Sequence, residues 1–316
     1  MPDQMSLTDG ISPYLNTIYL CVALLTILCS LVCNVFVITI IYGWNEILKP
    51  LDWFMINLLS WDIVSLLFAT LTVDNVEMNW HISEIFCKAS FSMVYIGYGV
   101  TVLTLCAVCL ERYYGICKPV SYQKCINSMT WKWAFPGIWL LSFALFGVYF
   151  HVYGRKTVTT PGGALGHVCD ETWKTGSSGI FYLLVPVLLL TIIPIIFMVL
   201  TFVKIIKKLK VSRTPSSGGS AVLYMRRRQT VKMLVYLVLV HYLFWLPAII
   251  LKLVGTFGTQ SPWYWITLAF CDLPHYARAI FYTLIYYRMY HVFTRTSEVA
   301  CKGCFCCCNT RKKSLH

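Results

Sequence analysis

Asp62, Asp272 and Arg278 each interrupt a long apolar run, as do two imidazoles, His241 and His275. An ion in such surroundings costs several kcal/mol unless it is paired, so Arg278 demands a partner. Asp62 and Asp272 are the two acids within its own class of environment, and a wet cavity is the third option. The histidines fall short of a hydrolytic zinc centre, which needs three or more ligands at one depth. No His-X-X-X-His pair occurs, so neither an enzyme nor a metal or other cofactor is expected. A second reactive group lies near the C-terminus, where Cys301, Cys304, Cys306, Cys307 and Cys308 precede Arg311, Lys312 and Lys313. Cysteines backed by a basic cluster suit palmitoylation against a membrane. Zinc is the alternative, but a run of three adjacent cysteines makes a poor tetrahedron, which favours the lipid.

The elements that position these residues follow from hydropathy. The chain has 316 residues, 58% hydrophobic and 12% charged, whereas a soluble domain carries about 25% charge. Seven apolar stretches reach the length of roughly 20 residues that a helix needs to cross a bilayer: Ile18–Tyr42, Trp53–Val73, Ala89–Leu110, Trp133–Val152, Ile180–Val203, Met233–Leu251 and Trp263–Tyr287. They are continuous runs, unlike the short alternating segments of a membrane barrel. The expected fold is an all-α seven-transmembrane helix bundle over residues 18–287. Residues 1–17 then lie outside the cell, with no removable signal peptide, and residues 288–316 form a cytoplasmic amphipathic helix and Cys-rich tail. With the N-terminus outside, cytoplasmic segments hold 20 of the 26 Lys and Arg, the bias that orients membrane proteins. The net charge of +13 then lies against anionic membrane lipids or an acidic protein, without nucleic acid as a partner.

Within this frame, the third span ends in Glu111-Arg112-Tyr113, followed by Pro119 and Tyr122. Cys87 precedes Arg112 by 25 residues, about 37 Å of helix. Trp80 precedes Cys87, Cys169 stands in the second outer loop, Asn34 in span one and Asn57-Leu-Leu-Ser-Trp-Asp62 in span two. Trp139, Pro194 and Phe244-Trp245-Leu246-Pro247 mark spans four, five and six. Together these residues resemble the rhodopsin-like (class A) G-protein-coupled receptors, from Asn34 to Phe293. The resemblance implies a heterotrimeric G protein and arrestin as partners at the plasma membrane. It implies a Cys87–Cys169 disulfide, two free thiols being the alternative. It implies that Glu111 holds Arg112 at rest, and that Pro247 lets span six swing when something presses on Trp245. Asn34, Asp62 and Thr101 match a polar core in which that aspartate commonly holds sodium.

Span seven departs from the family. Where Asn-Pro-X-X-Tyr is usual, the chain reads Tyr282-Thr-Leu-Ile-Tyr286, keeping only the tyrosine. Arg278 lies one turn earlier, so its guanidinium is expected to replace sodium as the counter-ion of Asp62, with Asp272 and a wet cavity as competing partners. His241 stands for the usual phenylalanine, Phe202 for a tyrosine, and Arg227 for the glutamate that often pairs with the span-three arginine. An altered resting state, with raised basal activity, is the expectation.

The ligand is narrowed by exclusion. Span seven holds no lysine for a retinal Schiff base, and Val94 stands seven residues after Cys87, where amine receptors place aspartate. The remaining pocket candidates are Asp74, Glu77, Val94, Tyr98, Lys252, Asp272 and Tyr276, and the mildly acidic outer segments suit a basic peptide. The expected function is therefore a cell-surface receptor that passes an extracellular signal, peptide or other non-amine, to G proteins. A non-signalling scavenger, decoy or dimer partner of the same fold is the alternative. A transporter would show inverted repeats or interrupted half-helices, and the sequence shows neither.

Overall fold

The computed structural model describes residues 13–44, 48–73, 83–159, 165–172, 185, 188–211, 218–257, 267 and 270–288. Helix α1 spans Pro13–Trp44, α2 Pro50–Val73 and α3 Glu84–Cys117. After Lys118 the chain turns into a short α4, Pro119–Asn127, with Pro119 in its first turn, where a missing N–H costs nothing. A 3-10 turn, Thr130–Trp133, leads into α5, Ala134–Phe146, and a last turn α6, Tyr149–Val152. Strands β1 (Tyr153–Thr159) and β2 (Leu165–Glu171) form an antiparallel hairpin in which Arg155 faces Cys169. A π-helical turn, Leu188–Ile192, opens α7, Ile193–Val211; α8 spans Gly218–Phe257, and residues 270–288 form α9.

Among the described residues, six helical spans are long and apolar enough to cross a membrane. Helix α9 supplies the seventh, and the architecture is the all-α bundle that the hydropathy requires. Its outward surface is apolar: Leu25, Leu140 and Leu243 are each more than 60% exposed, a face suited to lipid rather than water.

Helix ends differ from the apolar runs. Helix α1 starts more than a turn earlier than Ile18, and α8 extends well before Met233 through Arg226, Arg227, Arg228 and Gln229. These are good helix formers, so the helix outlasts the hydrophobic signal. The fourth span is interrupted by a turn at Gly147 and Val148, between α5, which ends at Phe146, and α6, which begins at Tyr149.

Helix α3 is the central post, touching α2, α4, α5, α6, both strands, α7 and α8. Its approach to α2 depends on Gly97, where an added Cβ would stand 2.6 Å from Trp61 Nε1 and 2.8 Å from Ser65 Oγ. Asn57 ties three helices, donating to Thr104 Oγ1 and accepting from Trp139 Nε1, both at 3.0 Å. Helix α9 is fastened to α1, where Ser30 donates to the Tyr276 carbonyl at 2.5 Å and Thr283 to the Cys33 carbonyl at 3.3 Å.

Pro194 explains a contact in the π-helical region. Proline has no N–H for the carbonyl four residues earlier and crowds it. That carbonyl belongs to Leu190, and it accepts the Tyr98 hydroxyl of α3 at 3.2 Å; Thr191 Oγ1 lies 2.6 Å from the Tyr98 hydroxyl oxygen.

Candidate functional site

Three layers of polar residues run along the bundle. The middle layer is built on α2 and α9. Arg278 Nη2 donates to Asp62 Oδ1, and both side chains are buried, 3% and 2% exposed. The other carboxylate oxygen accepts Asn34 Nδ2 at 3.4 Å. The guanidinium carbon also lies 6.0 Å from the Trp245 ring and 5.8 Å from the Tyr282 ring, within cation–π reach. Of the three partners open to Arg278 from sequence, the geometry selects Asp62. Thr101 is fully buried on α3.

At the α4 end, Glu111 grips its neighbour with both oxygens, one accepting Arg112 Nε and the other Arg112 Nη2. This two-pronged pairing is the strong form of the ion pair. Tyr122, on α4, donates to Glu111 Oε1 at 2.5 Å. Burial, and next the Glu111 carboxylate, raise the Tyr122 hydroxyl above its ordinary range, so it stays protonated and remains a donor. Tyr113 packs edge-on against Tyr114. Arg112 is therefore held from its own helix, with α4 as a second brace.

At the opposite end, Cys87 and Cys169 are disulfide-bonded, with Cα atoms 5.6 Å apart, pinning β2 to the start of α3. Beneath it, aromatic rings stack from Phe91 to Tyr153 and from Tyr95 to Tyr149, at 4.4 and 4.3 Å. Lys252 of α8 donates to the Tyr95 hydroxyl and lies 4.8 Å from the same ring. Trp245 lies below, with Tyr98 at 4.7 Å and His275 at 4.0 Å between ring centres.

The pocket candidates are dispersed by this arrangement. Tyr98 is buried with its hydroxyl committed to α7, Tyr276 is buried against α1, and Val94 packs between the two apolar clusters. Lys252 and Asp272 remain partly exposed near the disulfide end. Pro247 lies inside α8 and Tyr286 on α9, partly buried against the main core. Asp74 and Glu77 lie outside the described residues, as do Cys301, Cys304, Cys306, Cys307, Cys308 and the expected helix from Arg288 to Phe293 beyond its first residue. Tyr122 and Tyr95 escaped identification as partners of Glu111 and Lys252. Tyr122 reaches Glu111 only because the chain reverses at Lys118, and Tyr95 meets Lys252 only across two helices.

The chain matches the family described as "7 transmembrane receptor (rhodopsin family)" over residues 33–306. Among curated relatives, it is 23% identical over 252 residues to a QRFP-like peptide receptor of Branchiostoma floridae, covering 75% of this chain and 64% of that protein. It is 24% identical over 313 residues to the thyrotropin-releasing hormone receptor of Mus musculus, covering 89% and 78%. It is 26% identical over 237 residues to the growth hormone secretagogue receptor type 1 of Oryctolagus cuniculus, covering 72% and 63%. A family match of that extent, on a bundle with this disulfide and this central post, means that the chain belongs to the rhodopsin family of seven-transmembrane receptors.

Proposed function

We propose that this receptor sits in the plasma membrane, recognises an extracellular peptide at its disulfide end, and activates a heterotrimeric G protein at its Arg112 end. The peptide class is supported by the relatives, which are named as receptors for a QRFP-like peptide and for thyrotropin-releasing hormone. The signalling reading rests on one observation above all: Arg112 is held by Glu111 and, through it, by Tyr122. Such a pair is a releasable latch, because Arg112 is only partly buried, 20% exposed, against a buried Glu111. Release would free a guanidinium for an acidic or carbonyl partner in the G protein. The N-terminus outside, arrestin as a second partner and acylation of the tail cysteines belong to the same reading, supported by the basic bias of the cytoplasmic segments.

The test is ligand-free nucleotide exchange on a panel of purified G proteins, comparing the parent receptor with Arg112→Ala. Basal exchange that the substitution removes supports signalling and names the partner. A well-folded parent with no exchange on any G protein, with or without peptide pools, turns the argument to the non-signalling reading. That second reading has its own support in α9, where Tyr282 and Thr283 stand in place of the family's usual asparagine and proline.

A further inference from the structure

Between Glu171 and Asp272 the sequence holds no carboxylate, and α7 and α8 both lie inside that stretch. Their cations gather at the Arg112 end, where Lys208 acts electrostatically on Cys117 at the close of α3. Lys204 and Lys208 stand four residues apart on α7, and Arg228 and Lys232 four apart on α8. All four side chains are exposed, and no ion pair among the described residues reaches them. Like charges at that spacing share one helix face and repel each other. Their counter-charge has to come from outside the chain.

The face they occupy identifies its source. On α8, Met225, Arg228, Lys232, Tyr236, Leu239 and Leu243 are exposed and follow one another every three or four residues, which makes them a single stripe. Leu239 and Leu243 are both more than half exposed, so the stripe faces lipid tails before it reaches Lys232 and Arg228. Tyr236, one turn deeper than Lys232, supplies the amphipathic ring that suits a membrane boundary. On α7 the exposed Ile193, Ile196 and Leu200 lead in the same way to Lys204. Long cationic side chains so placed lie along apolar surface and present their charge at headgroup depth. A basic bias that merely orients a chain sets no condition on helix face. Here the cations continue the lipid faces of two neighbouring helices.

We propose that Lys204 and Lys208 of α7, with Arg228 and Lys232 of α8, bind the headgroup of a polyphosphorylated inositol lipid in the leaflet at the Arg112 end. A headgroup with a single negative charge relieves one cation of a pair. Several phosphates on one small ring answer both members at once. The acyl chains of such a lipid lie against the apolar part of the same stripes, which a soluble anion leaves uncovered. In the orientation proposed above this is the cytoplasmic leaflet, but the binding itself does not depend on signalling.

The probes are a dioctanoyl phosphatidylinositol bisphosphate, dioctanoyl phosphatidylserine and inositol trisphosphate, each titrated into purified full-length receptor in detergent. Bound molecules are counted by native mass spectrometry and affinity is read by thermophoresis. The variants are Lys204→Gln/Lys208→Gln and Arg228→Gln/Lys232→Gln, with Lys124→Gln/Lys132→Gln as a control that removes two exposed cations near α4. Glutamine is a comparable helix former, so all three should keep the parent's unfolding temperature. A cation near an anionic surface contributes about fivefold in affinity. Each of the first two variants should therefore bind the bisphosphate lipid roughly 25-fold more weakly, and the control as the parent does. Phosphatidylserine lacks the charge and inositol trisphosphate lacks the chains, so both should bind the parent about tenfold more weakly or worse. Equal affinity for either of them, an equal loss in the control, or no binding of the bisphosphate lipid overturns the proposal. So does unchanged lipid binding in the two helix variants with lost nucleotide exchange, which would assign the stripe to a protein contact. The lipid readout contains neither G protein nor peptide. Lipid binding by a receptor silent in nucleotide exchange therefore sinks the signalling reading while sparing the site.

Discussion

Asp62 and Arg278 neutralise each other where both are buried, and that fact governs what a substitution does. Removing one partner strands the other as a buried charge, which costs about 3–5 kcal/mol, whereas replacing both by neutral groups costs far less. Asp62→Asn and Arg278→Gln are each expected to lower unfolding temperature and surface expression sharply, with the double variant recovering most of the loss. Sodium ions should leave the parent's unfolding temperature unchanged and raise that of Arg278→Gln, where the carboxylate is again without a cation. The need for a counter-ion was legible in the sequence, because an intramembrane arginine requires one, but the choice of Asp62 over Asp272 came from the packing of α2 against α9. Tyr122 was not legible, since nothing in its spacing from Glu111 announces the reversal at Lys118. Its hydroxyl keeps its proton, so Tyr122→Phe removes a donor at any pH near neutrality. A hydrogen bond of this kind contributes about 1 kcal/mol, so ligand-free nucleotide exchange should rise by roughly fivefold, equally on either side of neutral pH. Unchanged exchange would mean that α4 does not brace the latch.

Helices were legible where hydropathy spoke and blurred where it fell silent. Arg226, Arg227 and Arg228 end an apolar run but not a helix, so α8 is far longer than the run that announced it. The π-helical turn and the hairpin carried no such signal. One answers to Pro194 together with Tyr98 on a different helix, and the other is pinned by a disulfide that only the resemblance implied. The separation of α2 and α3 is likewise set by a single missing side chain. Gly97→Ala places a methyl 2.6 Å from Trp61 Nε1, and the helices must part or the indole must turn. Overpacking of this kind costs about 1–3 kcal/mol. A lowered unfolding temperature is the expected result, and recovery with Trp61→Phe/Gly97→Ala would trace the loss to that contact.

Across the whole molecule, the division between apolar exterior and basic ends fixes what sort of protein this is before any motif is read. Seven runs, 12% charge and the distribution of Lys and Arg led to the bundle. The pairing inside it required knowing which helix lies beside which. The Asp62–Arg278 pair has one further consequence, which concerns the electric field across the membrane. A lone charge traversing the field gains about 2.3 kcal/mol per 100 mV, but an anion and cation that travel together gain almost nothing. The centre of this receptor is therefore electrically blind, and its response to ligand should be flat across membrane voltages under clamp. Arg278→Gln leaves Asp62 alone in the field, and the same recording should then show a potency that shifts with voltage.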